Sequence, residues 1–139
     1  MTDPKEPVWV MDAAVLIAHE ISLANFGGGD GIRDSALLES ALGKPKNLYA
    51  YGQPSNHDLA ASYTFGIVKN HPFVDGNKRT GFLAGALFLE LNGWKLAASE
   101  LEATQVIVGV ASGEIGEAEL AAWFKVNSSA IQAHSSSGD

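Results

Sequence analysis

From Lys78 to Leu91 nearly every residue is apolar or small, and Asn92-Gly93 places a helix stop directly behind the run. A helix of that character has no polar face to offer water, so it belongs at the centre of a fold, with other helices around it. Gly81 and Gly85, four residues apart, leave room for a close neighbour. Strict alternation of apolar and polar residues is almost absent elsewhere, and alanine is the commonest residue, twenty of 139. The surrounding elements therefore read as helices as well. A chain of 139 residues has the size of one domain, so the expected architecture is a single all-α bundle of about six helices.

Local signals set the expected boundaries. A first helix starts at Asp12, turns Leu16, Ile17, Leu23 and Ala24 inward, and stops at Gly27-Gly28-Gly29. A second begins at Asp34, buries Leu37, Leu38, Ala41 and Leu42, and ends at Gly43 ahead of Pro45. Lys46 to Ser55 then reads as a loop or short extended flap. A third runs from about Asp58 to Asn70, with Leu59, Tyr63, Gly66 and Ile67 spaced to pack, and ends near His71 because Pro72 disfavours helical geometry in its predecessor. The run from Lys78 is the fourth and the most buried. Ser99 with Glu102 forms a capping-box pattern for a fifth helix, and Glu117 to Val126 reads as a sixth. Residues 1–127 would form the domain, and 128–139, with little to bury, a disordered tail.

Composition removes several classes of function. The absence of cysteine excludes a disulfide scaffold, a thiolate metal site and a cysteine nucleophile, and fits a reducing, cytoplasmic setting. The opening residues carry acids and two prolines where a secretion signal would carry a basic and then an apolar stretch. The apolar run from Phe82 to Leu91, broken by Glu90, is far short of the ~20 residues that span a bilayer. A net charge of −7 argues against nucleic-acid or anionic-membrane binding through the general surface. Yet Lys44 to Arg79 holds five basic and two acidic residues, net +3, which leaves −10 for the rest. An anionic ligand is to be sought in that basic region.

The region contains His71-Pro-Phe-Val-Asp-Gly-Asn-Lys-Arg-Thr80, a loop between two expected helices. The N-terminus of the fourth helix offers unpaired N–H groups and partial positive charge, which suit a phosphate. Lys78 and Arg79 stand on that first turn, where cations are slightly unfavourable for the helix itself, so they point to an anion that they serve. Gly76 lets the backbone approach a ligand, and Asn77 can cap the helix and donate to a phosphate oxygen. Asp75 is the single carboxylate that a magnesium ion takes from a protein when nucleotide and water supply its other ligands. His71 can accept a proton from an attacking hydroxyl. Taken singly, each of these has a bland alternative: a helix-end histidine, a common Asp-Gly-Asn turn, a solvated Lys-Arg face. A Walker A loop is excluded, since His71 stands where its first glycine would be and a helix precedes the loop where a strand is needed.

The string HPFVDGNKR resembles the signature of the Fic/Doc superfamily, and specifically its Doc (death-on-curing) branch. The segments Phe26-Gly-Gly, Gly31-Ile-Arg-Asp34, Leu37-Leu-Glu-Ser-Ala41, Asn47-Leu-Tyr-Ala-Tyr-Gly52, Lys69-Asn70 and Phe88-Leu-Glu-Leu-Asn-Gly93 extend the resemblance over about residues 10 to 95. It implies an all-α Fic/Doc-like bundle around a central helix-loop-helix that binds ATP with Mg2+. On this resemblance His71 would be the general base, Asp75 the magnesium ligand, and Gly76, Asn77, Lys78 and Arg79 the phosphate-binding group, with Phe73 anchoring the loop. Lys46, Asn47, Leu48, Tyr49, Ala50, Tyr51 and Gly52 would form the flap that holds a target segment as an extended strand.

Two departures from adenylylating Fic proteins bear on the reaction. Those proteins read GNGRxxR, with glycine where this chain has Lys78 and a second arginine where it has Phe82. In Doc-like proteins the lysine goes with a reversed nucleotide and transfer of the γ-phosphate. The resemblance thus implies the toxin of a toxin–antitoxin pair, a kinase that phosphorylates a threonine of elongation factor Tu, arrests translation, and is neutralised by a Phd-type antitoxin. Ser35 to Glu39 followed by Ser40, and Thr2 to Glu6 followed by Pro7, both fail to complete the inhibitory [S/T]xxxE[G/N] motif of self-restrained Fic proteins. Two alternatives stand beside this reading: a Fic-type AMP transferase, and a non-catalytic nucleotide- or antitoxin-binding module. Outside the loop, Arg33 and Asp34 read as a surface ion pair and a cap, His19 and His57 as solvated or capping residues, and Trp9, Trp94 and Trp123 as packing.

Overall fold

Six stretches of sequence with well-marked ends form six helices in the computed structural model, which describes residues 6–132. They are α1 (Asp12–Phe26), α2 (Ser35–Tyr51), α3 (Asn56–Asn70), α4 (Asn77–Leu91), α5 (Glu100–Ser112) and α6 (Glu117–Val126). A short antiparallel ribbon completes the fold, with β1 (Trp94–Leu96) paired to β2 (Ser128–Ala130) in the register Trp94↔Ala130. The all-α expectation holds. Ser99 and Glu102 form the expected capping box of α5, and Ser55 with Asp58 forms a second one that starts α3 at Asn56, two residues before the expected start. Among the described residues no helix is long and apolar enough to cross a membrane.

The centre of the bundle is α3 rather than α4. Ten of the fifteen residues of α3 are buried against seven of the fifteen in α4. The cause is side-chain size. Ala60, Ala61, Ser62 and Gly66 let α2, α4, α5 and α6 all close on α3, whereas α4 keeps Phe82 and Leu87 half-buried and Leu91 exposed. Gly81 and Gly85 do serve the close approach of α3. A Cβ at Gly81 would lie 2.8 Å from Val68 Cγ2 and 3.1 Å from the Thr64 carbonyl, and one at Gly85 would lie 2.9 Å from the Ala60 carbonyl.

Three further expectations are corrected. Helix α2 does not end at Gly43; it runs through Pro45 to Tyr51. Its buried stripe Leu38, Ala41, Leu42, Pro45 keeps helical spacing, and packing of that stripe outweighs the hydrogen bond that proline removes. Residue Ala41, whose carbonyl Pro45 cannot serve, is backed against Gly66 of α3, where a Cβ would sit 3.3 Å from that oxygen. In α1 the buried residues are Val15, His19 and Ser22, while Leu16 and Ile17 are 38% and 56% exposed. Finally, Ser128–Ala130 is not part of a disordered tail but a strand, fixed by β1 and by Ala97 N–H donating to Asn127 O at 2.8 Å and Ile131 N–H to Gly93 O at 2.8 Å. Residues 133–139 of the expected tail lie outside the described residues.

Candidate active site

The connection between α3 and α4 is built from the inside outward. His71 caps α3 in the left-handed conformation (φ 54°, ψ 53°), its N–H donating to Ile67 O at 3.0 Å. It is the one non-glycine residue with positive φ among those described. Pro72 prevents the helix from continuing. Phe73 then drops into the core with no exposed surface. Asn77, at the start of α4, closes the loop behind it: Phe73 N–H donates to Asn77 Oδ1 and Asn77 Nδ2 donates to Phe73 O, both at 2.9 Å and both buried. Gly76, with φ 82°, is the residue that caps α4, with no side chain on its first N–H groups. A Cβ there would meet His19 Cδ2 at 3.4 Å and Leu23 Cδ2 at 3.5 Å, ordinary contact distances, so it is the left-handed turn that favours glycine.

This corrects the expectation for Asn77. Its side chain does not cap α4; it clasps Phe73 through both amide atoms, while the residue still lines the cavity at the helix start. Two residues read as peripheral prove central to the loop. His19 is 3% exposed, stacks on Phe73 at 3.9 Å with 12° between the rings, and donates from Nε2 to the Asp75 carbonyl at 2.8 Å. Among the described residues Arg33 makes no ion pair; its Nε donates to His71 O at 2.7 Å and its Nη2 to Asn70 O at 3.1 Å. Asp34 is the helix cap it was expected to be, accepting from Leu37 N–H at 3.0 Å. His57 is also neither solvated nor a cap. It lies buried beneath Trp94, ring centroids 4.5 Å apart, with Nε2 3.0 Å from Ser128 Oγ.

Gly76, Asn77, Lys78 and Arg79 line one cavity of about 260 Å³, with Ser22 and Phe26 of α1, Phe82 of α4, and Thr104, Ile107 and Val108 of α5 on its other sides. Uncapped N–H groups at a helix start, a left-handed glycine and two cations can receive a phosphate. Arg79 stacks 3.9 Å from the ring centre of Phe26 and reaches Glu100 at 3.5 Å, while Lys78 is exposed. His71 and Asp75 do not line this cavity; both are exposed on the loop beside it. Asp75 is anchored twice, at its carbonyl by His19 and at Oδ2 by the Gly29 N–H at 2.6 Å. An exposed, anchored carboxylate beside a helix start able to receive a phosphate would suit a magnesium ion that takes its remaining ligands from nucleotide and water.

The flap is misplaced in the sequence reading. Lys46, Asn47, Leu48, Tyr49, Ala50 and Tyr51 are helical, the last turns of α2, and Gly52 caps them. They also lie at the wrong end. Leu37, near the start of α2, accepts from Asn70 at the loop, and Lys46 is nine residues further along, roughly 14 Å at helical rise. The extended backbone beside the loop is instead Gly31 to Arg33, where Ile32 bridges Phe73, Val74 N–H donates to Gly31 O at 3.0 Å and Arg33 N–H to Pro72 O at 2.6 Å. Gly31-Ile-Arg-Asp34 itself was the available signal, a non-helical string between two helices.

Comparison with known proteins agrees with this arrangement. Residues 9–89 match the Fic/DOC family. The chain is 30% identical over 108 residues to the protein kinase doc of Escherichia phage P1, an alignment that covers 77% of this chain and 85% of that one. It is 42% identical over 87 residues to the toxin Doc of Mycolicibacterium smegmatis, covering 60% of this chain and 64% of the relative. The matched span contains α1 to α3, the loop and nearly all of α4, and on this evidence the chain belongs to the Fic/DOC family, in its Doc branch.

Proposed function

We propose that the protein is the toxin of a toxin–antitoxin pair and a protein kinase, which transfers the γ-phosphate of ATP, with Mg2+, to a threonine or serine hydroxyl. Elongation factor Tu is the target we assign and a Phd-type antitoxin the neutralising partner. The observation that carries the reading is Lys78 on the uncapped first turn of α4, in the same loop as His71. A lysine there adds a full charge where glycine would leave open space, and Phe82 in the cavity wall removes the second cation that an AMP-transferring site would use. The names of the two relatives, a kinase and a toxin, support the same choice.

In this reading the target oxygen attacks the γ-phosphorus, its proton passes to His71, and the bond from that phosphorus to the β,γ-bridging oxygen breaks as ADP leaves. The N–H groups and cations at residues 76–79 would hold the phosphates, and Asp75 would hold magnesium. The ion would neutralise charge on the phosphate oxygens. The deciding experiment incubates the protein with elongation factor Tu and ATP labelled at either the α or the γ position. Label from the γ position alone is expected; transfer of the α label would replace the kinase by an AMP transferase.

A further inference from the structure

The strained residue of the loop is the residue assigned as base. His71 adopts the left-handed conformation that side chains with a Cβ avoid, so something outside the residue must hold it there. The loop's own clasp, between Phe73 and Asn77, begins two residues later and does not reach it. The N–H bond of His71 to Ile67 O fixes it from the helix side, and what reaches its carbonyl is Arg33. Its Nε and Nη2 fork onto the carbonyls of His71 and Asn70, and its own N–H, with that of Asp34 at 3.0 Å, is bonded to Pro72 O. Three consecutive carbonyls, on either side of the strained φ, are therefore fixed by one residue and its neighbour from the segment before α2.

The charge of Arg33 also sits where a helix favours a cation, over the last carbonyls of α3. A lysine there would present one point donor and could not span two carbonyls in a fixed plane. We infer that Arg33 is a positioning residue for His71: the guanidinium fork holds the His71 backbone left-handed and so aims its imidazole at the incoming hydroxyl. The inference rests on the reading of His71 as the base and adds a residue that acts through the His71 backbone.

The test compares the full chain with Arg33→Ala and Arg33→Lys in three measurements. Backbone scalar couplings of His71 by NMR report its φ, calorimetry reports Mg·ATP binding, and transfer from γ-labelled ATP to elongation factor Tu reports kcat and KM. Arg33→Ala is expected to move the His71 coupling away from its left-handed value and to lower kcat by roughly 10²-fold, the scale of an ångström's misplacement of a reacting group. Mg·ATP affinity should stay within about twofold, and Arg33→Lys should recover only part of the loss. An unchanged His71 coupling in Arg33→Ala overturns the inference, as does a changed coupling with undiminished kcat. If the unmodified chain transfers no phosphate while the coupling still shifts, the kinase reading has failed and the clamp stands as a backbone device only.

Discussion

Removing the imidazole of His71 should separate chemistry from binding. His71→Ala is expected to lower turnover by roughly 10²-fold or more with little change in nucleotide affinity, since general-base catalysis contributes on that scale. Asp75→Asn should do the reverse and weaken magnesium-dependent nucleotide binding, read by calorimetry with and without Mg2+. Asn77 belongs to neither class. Its amide satisfies both backbone groups of a buried residue, so Asn77→Ala strands a donor and an acceptor and should destabilise the fold by ~2–4 kcal/mol in a denaturant titration. A loss of activity in Asn77→Ala at unchanged stability would show that its side chain meets the ligand after all.

At the scale of helices, the tightest requirement is the contact of α3 with α4. Gly81→Ala puts a methyl group 2.8 Å from Val68 Cγ2 and 3.1 Å from a backbone oxygen that cannot move away, so it should cost about 1–3 kcal/mol although alanine is the better helix former. A stabilised variant would mean that α3 yields more easily than its packing indicates. Elements were legible where their signals were local. Asn92-Gly93 ends α4, Ser99 with Glu102 starts α5, and Pro72 and Gly76 mark the connection between α3 and α4. What failed were features decided at a distance. The continuation of α2 depends on Gly66 of another helix, and β2 depends on backbone bonds to β1, which leave no trace in the string Ser-Ser-Ala. The inward face of α1 was misread because it carries His19 and Ser22 toward the loop, and polar residues do not announce burial. His19 and Arg33 reach the loop across 56 and 38 residues, a relation that no spacing rule in one sequence reveals.

At the scale of the whole molecule, a titratable side chain ties the centre of the bundle to the two-stranded ribbon. Burial, reinforced by the positive charge of Lys125 and opposed by Asp58, holds the pKa of His57 below its ordinary value of 6.5. The unfolded chain therefore binds more protons as pH falls through that value, and stability must decline on the acid side until folded His57 is protonated too. The melting temperature should fall between about pH 7 and pH 5, and His57→Gln, which keeps a donor toward Ser128 but cannot titrate, should flatten that fall. An identical pH profile in the variant would place the acid sensitivity elsewhere. A second consequence concerns time rather than energy. The Phe73 amide is locked inside a loop tied to α1, to Gly31–Arg33 and to α4, so it should exchange its hydrogen only when the bundle itself opens, at a rate far below that of surface loops. In the proposed kinase a loop with that little give would not close over its substrate. It would work as a fixed template, and the pliable member of the encounter would have to be the segment of target chain laid against it.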